Sequence, residues 1–192
     1  MLENLLDLVR ENSGTAIINN PAIPNERNDE AIETAGNSIT SELENLMRGG
    51  GMKDILKLFG GQGVDVNSNP VVQDISGNVA QDLMKKFNLD LGAASNIAGK
   101  LVPRVLQNLV NKTNDPNDKS FDIRGIFNSL SGGKTGNMNI QGLLGKVTTG
   151  SLDKDSDGDV DLQDVMAMFS GGGANKESGG GILGTVKGLF GK

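Results

Sequence analysis

The chain has no Cys, His, Trp or Tyr. Without Cys there are no disulfides, no thiolate nucleophile, no iron–sulfur cluster and no zinc-finger site. Without His there is no Ser-His-Asp triad, no imidazole base and no His-ligated zinc or haem. Carboxylates, Lys and Ser are what remain for catalysis. Positive charge is also scarce: 18 Lys and Arg stand against 24 Asp and Glu, for a net charge of −6. That balance argues against the net basic face a nucleic-acid-binding protein usually needs. No run approaches the roughly 20 apolar residues that span a bilayer, so no transmembrane segment is expected. The first residues, MLENLLDLVREN, carry Glu3 and Asp7 where a signal peptide would have positive charge and then unbroken apolar sequence. They predict no Sec export and a cytoplasmic location, with non-classical export as the remaining route. Leu2, Leu5, Leu6 and Val9 have helical spacing instead.

Glycine is abundant, at 28 of 192 residues, and only 6 Phe supply aromatic bulk. The core must therefore come from Leu, Ile, Val and Ala with some Met. Pro21 and Pro24 mark an extended connector, after which a helix is predicted over Asp29 to Arg48, with Asn28 as its cap. Ile32, Ala35, Ile39, Leu43 and Leu46 form its stripe, and Gly49 to Gly51 end it. GQGVDVNSN reads as a polar loop. Further helices are predicted over Pro70 to Phe87 and Leu91 to Asn111, the second kinked or split at Pro103. Asn111 to Ser120 is a turn-rich connector.

Five short apolar pieces of similar pattern are each followed by or contain Gly: Met52 to Phe59, Ile123 to Leu130, Ile140 to Val147, Leu162 to Phe169 and Ile182 to Phe190. Their irregular spacing argues against a solenoid, and short helices closed by glycine are the expectation. No sustained period-2 alternation supports a strand. The expected fold class is therefore all-α: a multi-helix bundle with a C-terminal EF-hand-like helix-loop-helix and Gly-rich linkers. The expected divisions are a helical domain over 1–135, an EF-hand-like segment over 136–170, a Gly-rich linker over 171–181 and an amphipathic tail over 182–192.

Residues 153–164, DKDSDGDVDLQD, carry the one motif with specific chemistry. On the twelve-residue EF-hand loop, Asp153, Asp155 and Asp157 fall at positions 1, 3 and 5, with Gly158 at 6 and Asp159 at 7. Val160 falls at 8, Asp161 at 9 and Asp164 at 12. A hard cation such as Ca²⁺ takes six to eight oxygens at about 2.3–2.6 Å, and alternate carboxylates converge on it only if the chain turns sharply at a glycine. Asp159 would supply its backbone carbonyl, and Asp161 would act directly or through water. Asp164 stands where the pattern has Glu; its shorter side chain should weaken Ca²⁺ binding or shift preference toward Mg²⁺. The Asp-ended pattern also resembles the half-repeat of dockerin modules, which carry two such loops where this chain has one.

A saturated oxygen cage leaves little open coordination for substrate, so a non-enzymatic role is expected. The alternative is a homo-oligomeric assembly protein in which metal binding is incidental. In the tail GILGTVKGLFGK, Ile182, Leu183, Val186, Leu189 and Phe190 share one helical face, suited to docking on the chain itself, on a protein partner or on a membrane surface. Two weaker patterns carry no function. LGAASNIAGKLVPRVL faintly suggests a helix-turn-helix but lacks a basic face, and SGGKTG lacks the first P-loop glycine and a preceding strand.

The segments MLENLLDLVRENSGTAIINNPAIPNERNDEAIE, NPVVQDISGNVAQDLMKKFNL and AASNIAGKLVPRVLQNLVNKTNDPND, with the closing GLFGK, resemble the bacterial YidB-like family of unknown function, in a Bacteroidetes-type form. The similarity covers most of residues 1–145. It implies an all-helical cytoplasmic or envelope-associated bacterial protein and transfers no active site; the 153–164 loop is an addition to that body.

Overall fold

The computed structural model describes residues 2–60, 65–136 and 138–147. Among them lie α1 (Leu2–Asn12), α2 (Asn28–Arg48), α3 (Met52–Gly60), α4 (Pro70–Phe87), α5 (Leu91–Asn114), α6 (Ile123–Leu130) and α7 (Ile140–Val147), with no strand among the described residues. Several helices begin where a short polar side chain accepts a free backbone N–H. Asn69 accepts from the Val71 amide at 2.9 Å, and Pro70 occupies the first turn of α4, where its missing N–H costs nothing. Asp90 accepts from the Ala93 amide at 2.8 Å to start α5, and Asp122 from the Gly125 amide at 3.1 Å to start α6. Asn88, with φ 52°, turns the chain from α4 into α5 in the left-handed conformation that Asn tolerates.

The α4–α5 hairpin is the most extensive helix pairing, and α2 packs on its α4 arm while also touching α1, α3 and α6. One continuous core results, filled mainly by aliphatic side chains. Phe59 and Phe127 meet edge to face in it, with ring centroids 6.2 Å apart. Gly36 lets α1 and α2 approach, since a Cβ there would stand 2.8 Å from Leu6 Cδ1. The three Gly-associated pieces that fall within the described residues, at 52–60, 123–130 and 140–147, are all helices. The α7 helix lies in the segment assigned to the EF-hand-like unit, yet it packs on α3 and α6, and its Ile140 and Leu143 are buried in the common core.

Four details differ from the sequence expectation. The α5 helix runs unbroken through Pro103 and on to Asn114. The carbonyl freed by proline is that of Gly99, an exposed position, while Ala98, Leu101, Val102 and Val105 on the other side are buried. That carbonyl is open to solvent, and the apolar face holds the helix together. Asn28 does not cap α2. A 3₁₀ turn over Asn25–Arg27 leads into the helix, Arg27 occupies the cap position with no side-chain cap bond, and the Asn28 side-chain Nδ2 donates to the Ile18 carbonyl at 3.4 Å. Between Pro21 and Pro24 the connector turns, where an extended run was expected, and Ile23 is buried. Within the polar run before α4, a 3₁₀ turn over Val66–Ser68 sinks Val66 into the core.

Candidate functional site

Asp153, Asp155, Asp157, Asp159, Asp161 and Asp164 lie outside the described residues, as do the apolar pieces at 162–169 and 182–190. The structure does describe the helix that precedes the loop. Asn139 starts α7, accepting from the Gly142 amide at 3.0 Å. Leu144 closes over Gly60, where a Cβ would stand 2.9 Å from Leu144 Cδ2. The described chain thus reaches Val147 on a helix seated in the core, with five residues between it and Asp153. Among the described residues no group of three or more Asp, Glu, His or Cys side chains is placed to hold a metal ion.

The other two patterns resolve as structure. SGGKTG closes α6: Gly132 and Gly133 have φ of 64° and 90°, and the buried Ser131 and Thr135 hydroxyls lie 3.0 Å apart. A helix, not a strand, precedes it, so it lacks the setting of a phosphate loop. LGAASNIAGKLVPRVL lies entirely within α5, with no turn between two helices.

Three carboxylates are held below the ordinary carboxylate range. The Arg27 guanidinium hydrogen-bonds Glu30, at 2.9 Å, and lowers it, with Lys86 3.5 Å away on the other oxygen. The Ser68 hydroxyl does the same to Asp65 at 2.8 Å, and the Ser120 hydroxyl to Asp118. Asp65 is exposed and Glu30 and Asp118 are half-buried, and each belongs to a turn or helix start. Arg27 also stacks on Phe87, 4.3 Å from the ring centre, and donates to the Lys86 carbonyl at 3.2 Å, tying the start of α2 to the end of α4.

Sequence reasoning missed an open cavity of about 480 Å³ lined by α1, α2, α5, α6 and the segment before α6. Leu5, Leu43, Leu109, Phe121, Ile126 and Leu130 line it, with Thr40, Glu3 and Glu44 among its polar residues. One local signal was present. Phe121 and Ile126 flank the Asp122 cap at the two positions of a hydrophobic staple, which draws the end of a polar connector onto the body. A second depression of about 570 Å³ is polar, with Lys100, Arg104, Gln107 and Asn108 of α5 facing Thr15 and Asn67. Among the described residues no helix is long and apolar enough to cross a membrane. In comparisons with known proteins, no family model, no curated protein and no solved structure matches the chain.

Proposed function

We propose that this chain is a non-enzymatic helical binding protein, of the YidB-like type its sequence resembles, whose body carries one EF-hand-like Ca²⁺ site at residues 153–164. The observation behind this reading is the register of the loop: acids at 1, 3, 5, 9 and 12, glycine at 6 and an apolar residue at 8. Asp153, Asp155 and Asp157 would supply side-chain oxygens, Asp159 its carbonyl, Asp161 a direct or water-borne ligand and Asp164 the closing carboxylate. A preceding helix is part of the motif, and the core-anchored α7 supports the reading by standing on that side of the loop.

The loop holds six acids and one Lys, a local charge of −5, which leaves −1 over the rest of the chain. An ion is needed to relieve that repulsion, and its binding would order the C-terminal region. Calorimetric titration of the full chain with Ca²⁺ should show one site, with Mg²⁺ competing. Ion at 100 times Kd should stabilise the unit holding the loop by about 2.7 kcal/mol. Asp153→Ala together with Asp157→Ala should abolish the heat signal and the stabilisation; no change at millimolar Ca²⁺ refutes the proposal.

A further inference from the structure

We propose that the tail, residues 182–192, docks in the cavity between α1, α2, α5 and α6 of the same chain. The cavity opens to the surface, and its volume of about 480 Å³ falls in the range of ligand pockets. The floor is aliphatic and aromatic, from Leu5, Leu43, Phe121 and Leu130, and Glu3 and Glu44 add carboxylates from α1 and α2. Arg48 of α2 stands 3.7 Å from Glu44, and among the described residues Glu3 has no ion pair. The matching occupant is apolar on one face and cationic.

The segment GILGTVKGLFGK has that chemistry. Ile182, Leu183, Val186, Leu189 and Phe190 recur at helical spacing, Lys187 and Lys192 give two positive charges, and there is no acid in the segment. The reach is ample. Val147 ends α7, which packs on the cavity-forming α6, and 34 residues separate it from Ile182. The Gly-rich linker 171–181 alone spans up to about 36–40 Å when extended. Gly184, Gly188 and Gly191 disfavour an isolated helix, so helical structure in the segment would depend on a surface to fold upon. Tethering offsets that cost by giving the tail a local concentration in the millimolar range for a flexible connection.

The absence of cysteine makes the test direct. Gly184→Cys introduces a unique thiol on the side of the tail helix away from its apolar face, for a nitroxide label on the full chain. Methyl resonances of Leu5, Leu43 and Leu130 should broaden in the oxidised label, and should do so equally after tenfold dilution. Leu189→Asp with Phe190→Asp should remove the broadening while leaving the other core resonances in place. Glu3→Lys with Glu44→Lys should weaken it, and Lys187→Glu with Lys192→Glu should restore it. Unbroadened cavity methyls overturn the proposal. Broadening that fades on dilution, or that appears in unlabelled chain mixed with labelled chain, also overturns it by assigning the cavity to a second copy.

Discussion

Gly60 and Gly77 are alike as residues and opposite in role. A Cβ on Gly77, at an exposed site inside α4, would meet no atom within 4 Å. Gly77→Ala should therefore stabilise the fold by about 0.5–1 kcal/mol, by restricting the unfolded chain and improving helix propensity. At Gly60 the added methyl would stand 2.9 Å from Leu144 Cδ2 and 3.4 Å from its Cβ, where α7 crosses the end of α3. Gly60→Ala must shift the Leu144 side chain out of its seat on α3 and should cost about 1 kcal/mol. Urea unfolding of the two variants checks both signs. Both glycines were visible in the sequence, but the sequence carries no record of a helix 84 positions later, so the distinction was not legible there.

Among elements, the starts of α4, α5 and α6 were readable to different degrees. Each uses a cap one residue ahead of an apolar period, and a cap is a local hydrogen bond between near neighbours. Asp90→Ala removes the 2.8 Å bond to the Ala93 amide and leaves that donor at the helix start without its partner. The expected loss is about 1 kcal/mol, measured as a shift of the unfolding midpoint with unchanged denaturant dependence. The start of α2 was read one residue late because its lead-in is a 3₁₀ turn held by Arg27, whose partners Phe87 and Lys86 come from the far end of α4. The survival of α5 through Pro103 has a similar origin. Propensity sets a local cost, and packing of the opposite face outweighs it.

At the scale of the whole molecule, the missing histidines and cysteines leave no side chain whose ordinary titration falls between about pH 5 and 8. Glu30, Asp65 and Asp118 have pKa values lowered in the fold, by Arg27, Ser68 and Ser120 respectively. A lowered folded pKa stabilises the native state above the unfolded value, and that contribution is lost as pH falls through the folded one. Thermal unfolding followed by circular dichroism, with a chelator present, should give a nearly flat midpoint from about pH 5.5 to 7.5 and a decline below about pH 4.5. A pronounced change in midpoint near neutrality would contradict this charge inventory. The cavity between α1, α2, α5 and α6 belongs to this scale as well, because residues from position 3 to position 130 are needed to line it.

The sequence by itself determined the all-helical character of the described chain, most helix ends, and the register of twelve residues in which every constrained position suits a divalent ion. These are short-range properties, set by periodicity, capping and spacing along the backbone. Only the tertiary structure decided that Ile23, Val66 and Phe121 leave polar stretches for the interior, that Gly60 is a contact and Gly77 is not, and that α7 is seated on α3 and α6. Burial depends on neighbours distant in sequence, and a single chain read in order does not show which of its faces will meet.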